Sequence, residues 1–166
     1  MLPQLERRLN TPMTSSMGRL FDAAAALLGI IDKASFEGQA AMMLERQAHI
    51  CGAVSAMENG YFLHDGVLDF TPLLLEISGI EDSAYGASLF HATLVDGLKS
   101  WVIEQGANKV IFSGGCFVNG MLSSELRKCL EGEGLAVFEA LSLPPNDGGI
   151  SLGQCYAAML EKSSCA

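Results

Sequence analysis

The chain has 166 residues, 49% of them apolar and only 17% charged. That is enough for one folded domain with a real core, and too apolar for a disordered chain. A net charge of -9 argues against broad nucleic-acid binding, which needs basic patches to meet phosphates.

No apolar run approaches the roughly 20 residues that cross a bilayer. The opening stretch, MLPQLERRLN, lacks the apolar core of a signal peptide. The apolar fraction is high for a free-standing surface, so one face is expected to be buried against a partner. Cysteines stand at 51, 116, 129, 155 and 165, with no Cys-x-x-Cys pair and an odd count. They read as reduced thiols of a cytosolic protein.

Residues 1–12 read as a lead-in, with Pro3 and Pro12 bracketing a short basic segment. Thr14-Ser15-Ser16 offers N-cap residues for a helix over about Met17 to Leu28. Leu20, Ala24, Leu27 and Leu28 form its expected buried stripe. Arg19 and Asp22, its only charges, share the other side with Ala23, Ala25 and Ala26. Such a face lets another helix or a ligand come close, and Gly18 at the helix start fits that reading. Gly29 ends this helix.

A second helix is expected over about Phe36 to Met57, opened by Glu37-Gly38-Gln39, with Ala40, Leu44, Ala48 and Cys51 inside. His49, four residues after Glu45, reads as one half of a surface i,i+4 pair. Tyr61 to Phe70 reads as a β-hairpin turning at Asp65-Gly66, with His64 beside the turn. Thr71-Pro72 starts a short helix that Gly79 closes.

The longest helix is expected over about Ser83 to Gln105. Ala87, Phe90, Leu94, Leu98 and Trp101 fall on one side, and Asp96 and Lys99 on the other. This is an amphipathic helix packed on a sheet, with Trp101 in the core and His91 a satisfied core or boundary histidine.

Lys109 to Asn119, KVIFSGGCFVN, is the organising stretch. Val110-Ile111-Phe112 is a buried strand, Ser113-Gly114-Gly115 breaks it, and Leu122, Leu126, Cys129 and Leu130 mark a helix. The glycines let a ligand approach the backbone, and the helix would aim free N–H groups at it. The same pattern also suits an ordinary tight connection. Cys116, at the expected helix start, is a candidate for a lowered thiol pKa, with ordinary packing the alternative.

Leu135 to Leu141 is a further strand. Pro144-Pro145 stiffens the chain before the turn Asn146-Asp147-Gly148-Gly149, and a last helix runs from Ile150 to Lys162, leaving 163–166 as a tail. Asp147 reads as an N-cap, or as a carboxylate for a metal or phosphate site. Four segments thus pair glycines with a polar residue at a helix start. If they converge, they make a cleft for a nucleotide with a divalent cation.

Four motifs carry a resemblance: Thr14–Gly29, TSSMGRLFDAAAALLG; Phe36–Ala41, FEGQAA; Ser113–Asn119, SGGCFVN; and Pro144–Gln154, PPNDGGISLGQ. In this order they resemble HypF-type carbamoyltransferases. The match, over residues 13–162, is to the second lobe of a C-terminal domain similar to TsaD-type tRNA threonylcarbamoyl transferases.

The resemblance implies an α/β fold, one lobe of an actin-like ATPase (ASKHA) architecture, helix-rich with a small mixed sheet. It implies a role in hydrogenase maturation. ATP and carbamoyl phosphate give a carbamoyl adenylate, and the carbamoyl group passes to the C-terminal cysteine of a HypE-like partner.

Carried over, Asp22 matches the carboxylate that holds the adenylate ribose. Gly18, Gly38, Gly114, Gly115 and Asn119 match the nucleotide wall, and Asp147 matches the aspartate this lobe gives to an iron- or zinc-type metal. Arg19 stands where the tRNA enzymes commonly have glutamate, which points to the hydrogenase branch. The family's His-x-x-x-His metal pair has no counterpart among His49, His64 and His91. The site is therefore expected to need a histidine-bearing first lobe, and the isolated lobe to be inactive. The face that would meet that lobe should self-associate or bind a partner chain. A non-enzymatic interaction module, or half of a split ASKHA enzyme, is the alternative reading.

Overall fold

Helical periodicity sets most of the architecture. The structure, a computed structural model, describes Arg7, Leu9 and residues 11–164. Most of the expected lead-in therefore lies outside the described residues. Helix α1 spans Met17–Leu27 and α2 spans Gln39–Cys51. A hairpin of β1 (Phe62–His64) and β2 (Val67–Asp69) follows, then α3 (Thr71–Ile77) and α4 (Ser83–Glu104). The last part holds β3 (Lys109–Phe112), α5 (Gly120–Gly132), β4 (Ala136–Glu139) and α6 (Ile150–Ser164). Short 3-10 turns, Gly115–Val118 and Asp147–Gly149, precede α5 and α6. Among the described residues no helix is long and apolar enough to cross a membrane.

α4 is the central element. It packs against α1, α2, α3 and α5 and against β2. The sequence pattern suggests one buried side facing a sheet. Instead Gly86, Ala87, Ser88, Leu89, Phe90, His91, Thr93, Leu94, Val95 and Gly97 are all buried, so neighbours press on it from several directions. Small residues make this possible. A Cβ on Gly97 would stand 2.8 Å from the Phe70 ring. The buried polar side chains are satisfied: Ser88 Oγ donates to Ala48 O at 2.9 Å, and Thr93 Oγ1 accepts from Met57 N at 2.9 Å.

Phe21, Leu44, Leu73, Ile77, Phe90, Leu94, Leu122 and Leu130 fill the core, with Phe21 and Phe90 meeting edge-on at 5.1 Å. α1 turns Phe21, Ala24, Ala25 and Leu28 inward. Leu27 is exposed and Ala25 fully buried, so the helix is rotated from the expected stripe. α2 stops at Cys51, six residues short of expectation. Gly52 leaves helical geometry with φ 87°, and Met57 is drawn to Thr93 instead.

Trp101 is not in the core. It is 36% exposed and donates Nε1–H to Gly66 O at 2.7 Å, pinning the hairpin turn. His64 lies in the open beside Asp65.

The strands form two separate pairs, β1–β2 antiparallel and β3–β4 parallel, with Ile111 opposite Phe138. β3 is not a buried strand: Phe112 is covered, while Ile111 is 75% exposed. Along α6, residues 150–160 are all exposed.

Candidate functional site

The glycine turn is built by backbone geometry. Gly114 has φ 106° and ψ 161°, a conformation that L side chains rarely adopt. Its N–H donates to Pro145 O at 2.6 Å, which fastens the turn to the segment leading to Asp147. Beyond it the 3-10 turn Gly115–Val118 packs against α1, and Phe117 stacks on Phe112 at 4.5 Å. Three of the four glycine-bearing segments therefore meet.

The fourth reaches them through α2. Gly38 opens that helix with φ 79°, and Glu45, seven residues on, places Oε1 3.0 Å from Met121 N. Glu45 is thus turned inward to α5, and the surface pair with His49 does not form.

This changes where the open donors are. The N-terminus of α5 does not face a ligand with free N–H groups. Met121 N–H is taken by Glu45 and Leu122 N–H by Asn119 Oδ1 at 2.8 Å. Among the described residues, the backbone N–H groups of Gly115 and Cys116 have no acceptor, and Gly115 is exposed. A Cβ at Gly115 would meet nothing within 4 Å, and one at Gly18 only Ser16 Oγ at 3.6 Å. The space over both is open.

Asn119 is 7% exposed and turned inward. Besides capping α5, its Nδ2 lies 3.2 Å from His91 Nε2. Asp22 pairs with Arg19 at 2.8 Å on the outer face of α1. Asp147 is exposed. It is not the N-cap, because Asn146 takes that role with Oδ1 accepting from Gly148 N at 3.0 Å. The Asp147 carboxylate has no partner among the described residues. Nor does any group of three or more His, Cys, Asp and Glu there suit a metal ion. One carboxylate is too few ligands for such a centre. Burial pushes the Cys116 thiol up, the reverse of activation.

His91 is a satisfied core histidine, as expected, but neither its contact with Asn119 nor that of Glu45 with Met121 has a local signal. The partners lie 28 and 76 residues away. Two clefts flank the site. One, of about 650 Å³, lies between residues 52–56, α4 and α5. The other, about 700 Å³, runs from Ser113 and Pro145 between the β3–β4 face and α6.

A family model described as "Carbamoyltransferase, Kae1-like Domain, second subdomain" matches residues 1–154. Carbamoyltransferase HypF2 of Cupriavidus necator is 41% identical over 93% of this chain and 23% of its own length. Carbamoyltransferase HypF of Rhizobium leguminosarum bv. viciae is 42% identical over 87% and 19%. A crystal structure of full-length HypF in its phosphate- and nucleotide-bound form superposes with a TM-score of 0.75 at 37% identity, covering 92% of this chain and 21% of that one. The chain spans about a fifth of the length of these relatives, and its fold is one lobe of the ASKHA architecture. The chain belongs to the HypF carbamoyltransferase family, matching the second subdomain of its Kae1-like domain.

Proposed function

We propose that this chain forms one wall of an adenylate site in a HypF-type carbamoyltransferase. The observation that carries the reading is the meeting of α1, the Gly114–Gly115 turn and the Pro145–Asp147 segment, with the Gly115 and Cys116 N–H groups unclaimed among the described residues. Backbone donors over open space suit a phosphate or an adenylate. The nucleotide-bound state of the HypF structure that this fold resembles supports the same ligand. Asp22 would receive the ribose, Gly18 and Gly38 would let the nucleotide close in, and Asn119 would hold the turn. Asp147 would give one ligand to a divalent metal of the iron or zinc type, the rest coming from a histidine-bearing first lobe.

The reaction in this reading is transfer of a carbamoyl group, activated as carbamoyl adenylate from carbamoyl phosphate and ATP. The acceptor is the C-terminal cysteine of a HypE-like protein in [NiFe] hydrogenase maturation, in the cytoplasm. The acidic balance of the chain sets it apart from a tRNA substrate. The lobe alone is inactive, because half of the site lies elsewhere. The test is carbamoyl transfer by a full-length enzyme carrying this sequence. Asp147→Ala should abolish transfer and leave the fold intact. Unchanged transfer would remove Asp147 from the site.

A further inference from the structure

We propose that His91 is a positioning residue: it fixes the Asn119 carboxamide, and through it the turn that presents the Gly115 and Cys116 N–H groups. The proposal rests on the adenylate reading above and deepens it.

His91 is 2% exposed, and its Nδ1 lies 2.8 Å from Ala87 O. A carbonyl only accepts, so Nδ1 carries the proton. In the neutral ring Nε2 is then a bare lone pair, and it faces Asn119 at 3.2 Å. Only the amide nitrogen can donate there. The amide oxygen must therefore point the other way, onto Leu122 N–H at 2.8 Å. Flipping the amide would set a donor against the Leu122 N–H and a lone pair against Nε2. One tautomer thus selects one amide orientation and one start for α5.

The same ring ties in the other wall. Phe21, the neighbour of Asp22, meets the imidazole edge-on with centroids 5.7 Å apart. Asn119 in turn closes the 3-10 turn, its N–H donating to Cys116 O at 3.1 Å. His91 therefore touches both sequences that the adenylate would rest on, without lying on the open face itself.

The experiment uses the 166-residue chain labelled with ¹⁵N. Long-range ¹⁵N–¹H spectra should show His91 as the Nδ1–H tautomer. AMP is then titrated into the wild type, His91→Phe and His91→Gln, following the Gly115 and Cys116 amide signals, with thermal midpoints in parallel. Phenylalanine keeps the ring contacts and removes the acceptor. It should weaken AMP binding roughly three- to tenfold, the worth of one hydrogen bond. Glutamine, which offers an acceptor oxygen, should recover most of that loss.

An Nε2–H tautomer in the wild type would overturn the proposal, as would full AMP affinity in a folded His91→Phe. Should His91→Phe fail to fold, the wild-type tautomer and the Asn119 side-chain amide signal in His91→Gln still decide it. A wild type whose Gly115 and Cys116 signals ignore AMP would instead sink the adenylate reading.

Discussion

His91 is buried and Asp147 exposed, so the two polar residues contribute to stability differently. Burial holds the His91 imidazole below its ordinary value of about 6.5, outweighing the hydrogen bond to the Ala87 carbonyl and, less strongly, the Glu45 carboxylate, which both favour the charged form; His49 pushes with burial. With the folded value lowered, the unfolded chain binds the extra proton first. The stability tied to His91 is therefore complete above about pH 6.5 and is lost as pH falls from there toward the folded value. Urea melts at pH 7.5 and 5.5 should show a smaller drop for His91→Gln than for the wild type; equal drops would contradict this.

Asp147 is exposed and has no partner among the described residues, so Asp147→Ala should change stability by less than about 0.5 kcal/mol. The two glycines of the turn separate in the same way. Gly114→Ala meets no neighbour but forces a side chain to φ 106°, and should cost roughly 1–3 kcal/mol in a thermal melt. Gly115→Ala meets neither obstacle, and should leave the melt alone while weakening AMP binding.

At the scale of elements, the helices were legible because apolar spacing and capping residues are local. Asp82 shows it: its carboxylate accepts from Ala84 N and Tyr85 N and starts α4 where expected. What failed was long-range. The small residues that let α4 be crowded, Gly86, Ser88 and Gly97, stand outside the apolar stripe of Ala87, Phe90, Leu94, Leu98 and Trp101. Gly97→Ala should cost roughly 1–3 kcal/mol by pushing on Phe70; a urea midpoint matching the wild type would show that the ring yields freely. The α5 N-terminus was misread for a like reason. Nothing near Asn119 reveals that Glu45, 76 residues earlier, takes the Met121 N–H. The open donors therefore moved from the helix to the 3-10 turn before it. Gly114 itself was legible, because φ 106° with ψ 161° needs glycine wherever its partners lie.

For the whole molecule, the open apolar face is the main feature. Ile111 and Phe138, at 75% and 53% exposed, lie side by side on a parallel pair, with Ile150, Leu152, Tyr156 and Met159 of α6 across the cleft. Parallel strands are almost always covered on both faces. The chain spans about a fifth of the length of its relatives, and in the proposed reading the first lobe of the domain would cover this face. That would also explain why a strand that reads as buried stands in the open. Alone at high concentration, the chain should self-associate in sedimentation experiments, and Ile111→Lys should weaken that association.

In the proposed reading this lobe carries one wall of an adenylate site and not the whole of it. The decisive measurement is calorimetric titration of the isolated chain with ATP and AMP. Binding should be weak, with a Kd of about 1 mM or above, and abolished by Asp22→Ala. Micromolar affinity without any partner, or binding indifferent to Asp22, would contradict it.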